Sequence, residues 1–489
     1  MSRGATPLSA SSALGISDHI TARRAYVALL MLSLTYMMSF MDRTALGVLQ
    51  EPIKHEFGLS DWQLGLLGGP AFAVLYALMS LPVARLAERY SRSWVLVACL
   101  LTWSVMTLFC GAAQNYAQLL LARAGVSIGE AGSNPTSHSL IADLFPPQRR
   151  ARALAIYTLG VPAGALLGAM VAGHFASLWN WRIAFVILGV SGVALAFPLL
   201  ALLPSVARGR FDPPVDSVTP PRMIEVITTL FRSPVFRQFA SGASLVVLVG
   251  YGVAAFLPSF LFRVHGLDFA GIGVVSGLVN GVGAGLGTLL GGVCADRFGQ
   301  RDARIYGWLP AVMMVFATPC FIAGFLLDSV WTGTLLLGFA TASIYTYIAP
   351  TFAQLHSMVD SRMRATAASV LFLIINLVGL GLGPPLIGLI GDWSAAAWFA
   401  EHANGNFASV CTAGSAARDV GASCRFASAR GLTAGLVAVS MLLVWASVHF
   451  WLAGTYLKRL STRGLKHSPG PSPHGYKHEM YRDRLAGDT

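Results

Sequence analysis

Four ionisable side chains lie inside long apolar stretches of the chain, where an unpaired charge is expensive. They are Asp42, Arg43, Arg123 and Glu130. Arg123 and Glu130 are seven positions apart, so a helix places them on one face about two turns from each other. Asp42 and Arg43 are neighbours that point in different directions from a helix and pair poorly with each other. Across a helix interface, Asp42 can pair with Arg123, or Arg43 can pair with Glu130. One of the two carboxylates is then able to change its partner.

The two carboxylates are candidate proton carriers. A carboxylate in an apolar cavity can bind a proton near neutral pH, because burial disfavours the charged form. We rank Glu130 first and Asp42 second for this role. Protons would then be the coupling ion, loaded on one side of a membrane and released on the other. The alternative is a static ion-pair cluster that only holds two helices together.

A second group of side chains could contact a substrate. Arg43 and Arg123 can each bind a carboxylate or a phosphate. The later half of the chain has no charge away from the ends of its apolar stretches, and its candidate polar contacts are neutral: Tyr251, Asn280, Tyr345 and Asn376. Aromatic residues are also frequent between positions 251 and 262. Charge in one half and apolar surface in the other suits an amphiphilic substrate, unless these aromatic side chains only face lipid.

The composition predicts a polytopic membrane protein. Of the 489 residues, 55% are hydrophobic and 11% are charged, against about 25% charged residues in an average soluble domain. The net charge of +12 does not require a nucleic-acid partner, because Lys and Arg gather on the cytoplasmic side of membrane proteins. Six cysteines make neither a disulfide framework nor a zinc cluster, and HExxH, paired CxxC and P-loop motifs are missing. We expect no enzyme activity, no metal and no organic cofactor.

Twelve apolar stretches are long enough to cross a bilayer, since about 20 helical residues span roughly 30 Å of hydrocarbon. The predicted fold is an all-α membrane protein with twelve transmembrane helices in two pseudo-symmetric halves of six. The predicted spans are 26–48, 62–84, 94–113, 116–142, 151–176, 182–203, 236–262, 271–295, 304–327, 331–358, 365–391 and 430–457.

Positive charges predict the orientation. With the N-terminus in the cytoplasm, 26 of the 34 Lys and Arg residues fall in cytoplasmic segments, six on the opposite side and two inside spans. This asymmetry places both termini in the cytoplasm. We expect a monomer in a bacterial inner membrane, in contact with membrane lipids and with a small-molecule or lipid substrate.

The remaining segments divide the chain into parts. In order these are a leader, a first half, a proline-rich cytoplasmic linker with a short surface helix, a second half and a basic tail, over residues 1–25, 26–203, 204–235, 236–457 and 458–489. Within the second half, residues 392–429 form a long outer loop. Cys411 and Cys424 in this loop face an oxidising compartment in that orientation, so they form a disulfide or remain two free thiols.

A loop motif occurs in both halves. Residues 84–92 and 292–301 share an order of acid, arginine, aromatic and small residue, with the acids 208 positions apart. A carboxylate near arginines at a helix end can latch the cytoplasmic side of a half and release when the halves move. An excess of positive charge on the cytoplasmic side would not by itself require an acid at the same place in both halves. The predicted latch residues are Glu88, Arg89, Arg92, Arg152, Asp296, Arg297, Arg301 and Arg364.

Glycine and proline also recur at matching places, in residues 160–168 and 379–388. Glycines let helices approach closely, and prolines bend them. Two parallel six-span halves are the plan of secondary transporters, with the substrate site near the bilayer midplane. We therefore expect alternating access, rather than a channel or a non-transporting receptor.

The duplicated loop motif, the segment 123–129 of span four and the repeated glycine–proline pattern together resemble the major facilitator superfamily, over residues 26–457. The first loop motif departs from the family pattern. Glu88 replaces the usual Asp, Ser91 the usual Gly and Ser93 the usual final basic residue. The departure implies a weaker latch in the N-terminal half.

Three local strings resemble the spinster-like branch of that superfamily: 41–43, 129–131 with 141–145, and 161–168. The resemblance implies proton-dependent transport of a lysophospholipid or sphingoid lipid, with the four buried charges as the polar core. The branch that moves organic anions such as sugar acids shares the first two strings. Asn134-Pro135 and Trp181-Arg182 resemble that second branch, which makes Asn134 a further candidate contact. A proton-coupled symporter of small organic anions is therefore the alternative function.

Overall fold

The structure is a computed structural model that describes residues 21–208, 210–211, 223–299, 301–359, 363–403, 406–411 and 418–465. All regular structure in these ranges is helical. The helices are α1 Ala22–Phe57, α2 Asp61–Gly68, α3 Pro70–Arg89, α4 Arg92–Ala112, α5 Tyr116–Ala131, α6 Ser133–Leu144, α7 Pro147–Thr158, α8 Gly160–Leu178, α9 Trp181–Leu202, α10 Met223–Arg232, α11 Pro234–Arg263, α12 Phe269–Gly277, α13 Ala284–Gly299, α14 Ile305–Leu326, α15 Val330–Tyr345, α16 Ile348–Met358, α17 Arg364–His402, α18 Phe407–Cys411, α19 Arg418–Ser440 and α20 Leu442–Leu465. A π-helical turn, Leu278–Gly283, joins α12 to α13. Most of the predicted leader and tail lies outside the described residues.

The twelve-helix class predicted from the sequence is confirmed. Within the described ranges, eleven helical segments are long and apolar enough to cross a membrane, and they correspond to every predicted span except the fourth. Span four is the helix pair α5 and α6. This pair is less apolar because it carries Arg123, Glu130 and the polar run 133–138.

Several spans divide into two helices at a short break. Span two breaks at Gly69, and Pro70 is the first residue of α3. Proline is favourable there because the first turn of a helix needs no intrahelical N–H bond. A Cβ at Gly69 would lie 2.9 Å from Cδ of Pro385, so α17 packs closely against this break.

The segment predicted as a long outer loop, 392–429, is largely helical in its described part. Helix α17 continues to His402, and α19 begins at Arg418. The extension of α17 is rich in alanine, a strong helix former, and its Phe399 is buried with Ala395 and Ala427 in a small separate apolar cluster. Cys411 and Cys424 are bonded in a disulfide that ties α18 to α19.

The two halves meet mainly where α1 packs on α11, where α2 and α3 pack on α17, and where α8 packs on α12 and the π-helical turn. Glycine permits the close approach of α2 and α17, since a Cβ at Gly65 would lie 2.7 Å from the carbonyl oxygen of Pro384. We call the end of the bundle that holds Phe57, Asp61 and Arg263 the clasp face. The opposite end, which holds Arg92 and the linker helix α10, is the linker face.

Candidate functional site

A buried ion pair between Arg43 and Glu130 joins α1 to α5. Nη2 of Arg43 lies 2.7 Å from Oε2 of Glu130, and Nε of Arg43 donates to the same oxygen at 2.8 Å. Ser39, one turn earlier on α1, donates its hydroxyl to this oxygen at 2.7 Å. The Glu130 side chain is only 1% exposed, whereas that of Arg43 is 16% exposed. Three donors therefore converge on one oxygen of Glu130, whereas its other oxygen, Oε1, has no hydrogen-bond partner among the described residues.

Aromatic rings surround the Arg43 guanidinium. Its central carbon lies 4.6 Å from the ring centroid of Phe72, 5.1 Å from that of Tyr76 and 5.2 Å from that of Phe40. Tyr251 of the second half interacts electrostatically with the same guanidinium. The pair therefore lies where the two halves meet, with the guanidinium against ring faces that attract a cation.

Asp42 and Arg123 lie in the same buried region but are poorly satisfied. Asp42 is 1% exposed and accepts one hydrogen bond, from the Thr107 hydroxyl of α4 to Oδ2 at 3.2 Å. Oδ1 of Asp42 and Nε and Nη1 of Arg123 have no hydrogen-bond partner among the described residues. The described residues also contain no Asp42–Arg123 ion pair. Of the two pairings that the sequence allows, the structure forms the Arg43–Glu130 one.

Tyrosines of both halves lie around the ion pair. Tyr36 interacts electrostatically with Arg43 and Glu130, and its ring stacks on that of Tyr157 at 4.6 Å between centroids. The Tyr157 hydroxyl donates to Oδ1 of Asn134 at 3.2 Å, which links this residue to the cluster. The sequence analysis did not single out the tyrosines of the first half. Their position inside apolar spans was the available signal.

The candidate contacts of the second half differ in what they can offer. Tyr345 and Tyr251 are half-buried and interact with each other electrostatically. Asn280 lies in the π-helical turn, and its buried Nδ2 has no partner in the described part of the chain. The amide of Asn376 donates to the carbonyl oxygen of Phe372 in its own helix at 2.8 Å. Asn280 thus has a buried donor that is not used within the described part of the chain.

An apolar groove of about 570 Å³ lies beside the π-helical turn, away from the ion pair. Side chains of α13, α14 and α15 line it, including Leu286, Leu335 and Phe339. Ser343 and Thr346 also line the groove, but their hydroxyls donate to backbone carbonyl oxygens of α15. The groove therefore offers hydrocarbon contacts and few free polar groups.

The clasp face is closed by an ion-pair network between the halves. Arg263, the last residue of α11, donates from Nε and Nη2 to Oε1 of Glu51 at 2.9 and 2.7 Å. Its Nη1 and Nη2 also donate to Oδ2 and Oδ1 of Asp61 at 2.6 and 2.7 Å. All three side chains are buried, with exposures of 4 to 6%. We call this network, with Lys54 and Asp392, the clasp.

Lys54 and Asp392 complete the clasp. Lys54 forms a second ion pair with Asp61. The carboxylate of Asp392, on α17, accepts from the backbone N–H groups of Asp61 and Trp62 at 3.1 and 2.9 Å. A carboxylate at the N-terminus of α2 is favourable because free N–H groups and the helix dipole both attract negative charge. Sequence analysis missed the clasp, since its members lie at span ends where charge is common.

Arg92 is the buried member of the predicted latch on the linker face. Its Nη1 pairs with Asp143 of α6 and donates to the Ser139 hydroxyl at 2.8 Å. Its Nη2 donates to the carbonyl oxygen of Val206, after α9, at 3.0 Å. Arg92 therefore joins three segments of the first half, and its acid lies in the last turn of α6, at the end of span four.

The other predicted latch residues are exposed. Glu88 has no ion pair among the described residues, and Arg208 instead donates to the carbonyl oxygens of Ala87, Glu88 and Tyr90. Arg364 donates to the carbonyl oxygen of His356 at 3.2 Å. For the remaining side chains the described structure shows no hydrogen bond or ion pair; these are Arg89, Arg152, Asp296, Arg297 and Arg301.

The ion pair in the second repeat loop is formed by Asp302 and Arg304 instead. Nε of Arg304 lies 2.9 Å from Oδ2 of Asp302. The hydrogen bond from the Arg304 backbone N–H to this carboxylate, followed by the side-chain contact, lowers the pKa of Asp302. The pair is local and joins no other helix.

The sequence and the fold match known proteins. Residues 32–384 match the model of the Major Facilitator Superfamily. An MFS-type efflux pump of Mycolicibacterium smegmatis is 35% identical over 77% of this chain and 86% of its own length. A probable L-galactonate transporter of Escherichia coli is 25% identical over 75% of this chain and 83% of its own. The inward-facing, unoccupied crystal structure of a bacterial homolog to the human lysosomal transporter spinster superposes with a TM-score of 0.80 and 33% identity, over 93% of this chain and 100% of that one.

Proposed function

The chain belongs to the Major Facilitator Superfamily as a spinster-like secondary transporter, and we propose that it couples movement of an amphiphilic lipid to movement of protons. The proposed substrate is a lysophospholipid or a sphingoid lipid. As a member of this superfamily it is a multi-pass integral membrane protein and not an enzyme. The proposed coupling ion is the proton, without an organic cofactor.

The observation that supports proton coupling is the unequal hydrogen bonding of the two buried carboxylates. Glu130 receives three donors on Oε2, two of them from Arg43. Asp42 receives only one donor, at 3.2 Å, while the second oxygen of each acid, Oδ1 of Asp42 and Oε1 of Glu130, has no partner among the described residues. A buried carboxylate with few donors gains most from a proton. We therefore assign proton binding to Asp42, and Glu130 becomes the counter-ion of Arg43.

The clasp supports an alternating-access cycle. The buried network around Arg263 closes the clasp face, while most of the predicted latch residues are exposed on the linker face. A transporter that opens to one side at a time needs such an asymmetry. Because the linker face also carries the excess of Lys and Arg, we assign it to the cytoplasm of a bacterial inner membrane, with both termini inside. The molecule is then in an inward-facing state.

The surroundings of Arg43 support an amphiphilic substrate. Its guanidinium is partly exposed between the halves and can bind a phosphate or a carboxylate head group. Tyr251 and Asn280 of the second half offer neutral donors. The apolar groove beside the π-helical turn offers separate hydrocarbon surface, and none of the ion-pair residues lines it. A cation site together with apolar surface suits an amphiphile.

A second candidate is a proton-coupled symporter of small organic anions such as sugar acids. The E. coli relative is named as a probable L-galactonate transporter, and residues Asn134 and Trp181-Arg182 resemble that branch. However, Trp181 and Arg182 both donate to Glu56 on the clasp face, at 2.7 and 2.6 Å. These two residues therefore act in folding rather than at the proposed site.

Ligand-dependent thermal unfolding of the purified protein separates the two candidates. A ligand that binds the folded state raises the melting temperature by mass action. We expect lysophospholipids to stabilise the protein, with a pH dependence that Asp42→Asn abolishes, and sugar acids to have no effect. Stabilisation by sugar acids alone would contradict the lipid substrate and support the organic-anion symporter. Glu56→Gln, on the clasp face, is the control for a loss of carboxylate charge.

A further inference from the structure

We propose that Thr107 is a positioning residue for the proton site, because its single hydroxyl proton serves two acceptors in turn. The hydroxyl donates to Asp42 while that carboxylate is ionised. When Asp42 takes up a proton, the hydroxyl turns to the backbone carbonyl of Trp103. This inference rests on the proposed function, since it takes Asp42 as the group that is protonated.

The geometry around Thr107 supplies both positions. Its Oγ1 lies 3.2 Å from Oδ2 of Asp42 and 3.0 Å from the carbonyl oxygen of Trp103. A hydroxyl has one donor proton and two acceptor lone pairs, so it can donate to only one of these oxygens at full strength. Thr107 is fully buried, so its hydroxyl is not in contact with bulk solvent.

Proton uptake rearranges these bonds without breaking a covalent bond of Thr107. The incoming proton forms an O–H bond at Oδ2 of Asp42, and this new donor points at Oγ1 of Thr107. Rotation about the Cβ–Oγ1 bond of Thr107 then turns its own proton to the carbonyl oxygen of Trp103. Both forms of Asp42 therefore have a hydrogen bond to the same atom, and the backbone need not move.

The groups that face Asp42 are few. From α5 they are Arg123 and Glu130, from its own helix Arg43, and from α4 the thiol of Cys110 together with Thr107. Arg123 contributes charge, but it forms no ion pair with Asp42 in the described structure. The Trp103 indole Nε1 is buried and has no partner there either. Among the described residues, Thr107 is thus the side chain that donates a hydrogen bond to Asp42. Substitution of Thr107 therefore changes the hydrogen bonding of this carboxylate.

Infrared difference spectra of the purified full chain, recorded across a pH titration, test the proposal without any substrate. The carboxyl C=O band that Asp42→Asn removes reports protonation of Asp42. Thr107→Val keeps the shape and loses the hydroxyl, while Thr107→Ser keeps the hydroxyl. The bond to the ionised form is the stronger one, so we expect the valine variant to protonate about one pH unit higher, a tenfold change. We expect the serine variant to keep the wild-type midpoint and band position.

Thr35→Val is the matched control, because the buried Thr35 hydroxyl donates to the Met31 carbonyl of its own helix and faces no carboxylate. If the valine variant at position 107 keeps the wild-type midpoint, or the serine variant shifts as far, the positioning role is overturned while proton binding by Asp42 stands. If Asp42→Asn removes no titrating band, Asp42 is not the group that binds the proton, and the proposed role of Thr107 is overturned as well.

Discussion

Arg263 and Asp61 meet in a two-pronged ion pair that connects the two halves of the molecule. Nη1 and Nη2 of the arginine lie 2.6 and 2.7 Å from the two carboxylate oxygens. Glu51 shares the same guanidinium, so one cation pairs with two buried acids, of which Asp61 also pairs with Lys54. The clasp face can open only if this arginine leaves both of them.

Replacing Arg263 by alanine tests this dependence. Two buried carboxylates would lose their main partner, and breaking a buried ion pair by removing one member costs about 3 to 5 kcal/mol. We expect a clearly lower melting temperature in thermal unfolding, or a population with the clasp face open. Spin labels at Ala117 and Leu327, exposed on the clasp face of either half, would report the opening as a longer distance.

The control for this variant is Arg182→Ala. Arg182 pairs with Glu56, whose side chain is 43% exposed, and exposed pairs contribute about 1 kcal/mol or less. Arg263→Ala with the stability and label distance of the wild type would show that the clasp does not hold the halves together.

Glycine at position 65 is expected to be necessary for closure of the clasp face. A Cβ there would lie 2.7 Å from the Pro384 carbonyl oxygen and from Cα of Pro385, both rigid backbone atoms. We therefore expect Gly65→Ala to push α2 from α17 and to increase the distance between the labels on the clasp face. Gly381→Ala, where α17 faces α3, is the control at the same interface between the halves, since its nearest neighbour, Cβ of Ala73, would lie 3.8 Å away. Equal distances in both variants would contradict tight packing at position 65.

The polar core could be predicted from the sequence because charges inside apolar spans are a strong signal. The spacing of Arg123 and Glu130 and the neighbouring pair on α1 left two pairings open, and only the three-dimensional structure selects Arg43 with Glu130. The clasp could not be predicted in this way. Arg263 is 202 positions from Asp61, and each lies at a span end where a charge has no special meaning alone.

Helix α17 continues past the predicted end of span eleven, and α19 begins before the predicted start of span twelve. Both extensions depend on tertiary contacts. Hydropathy falls after position 391, which favours a loop, whereas Phe399 packs on Ala427 and the disulfide fixes α18 beside α19. Likewise, the loop repeat identified Arg92 but not its partner, because Asp143 approaches from the end of another helix, α6. Local patterns mark such residues, and the three-dimensional arrangement decides their contacts.

The Cys411–Cys424 disulfide is expected to stabilise a local unit. It closes a loop of 13 positions, for which chain entropy predicts about 3 kcal/mol, acting on the small cluster around Phe399. We expect the double Cys→Ser variant to show faster hydrogen exchange in α18 and in the adjoining end of α17. Exchange in α1 and α5 should be unchanged. Uniformly faster exchange over the whole chain would show that the disulfide supports the bundle itself.

Glu130→Gln tests the counter-ion role of this carboxylate. Glutamine can still accept from Ser39, but the charge opposite Arg43 is lost and the guanidinium keeps only its aromatic neighbours. We expect the variant to fold and purify as a monodisperse protein, because Arg43 is partly exposed and surrounded by rings. Lysophospholipid uptake into proteoliposomes should fall at least about tenfold, as expected for loss of a charge-assisted contact of about 1.5 kcal/mol or more. Uptake equal to that of Glu56→Gln would contradict the role.

The most direct test of proton-coupled lipid transport is lysophospholipid uptake by the wild-type protein in proteoliposomes with and without an imposed pH gradient. We expect accumulation above equilibrium only when the gradient is present, and a complete loss of this gradient-driven accumulation in Asp42→Asn. Accumulation that is the same with and without the gradient, or that is unchanged in Asp42→Asn, would contradict proton coupling through the polar core.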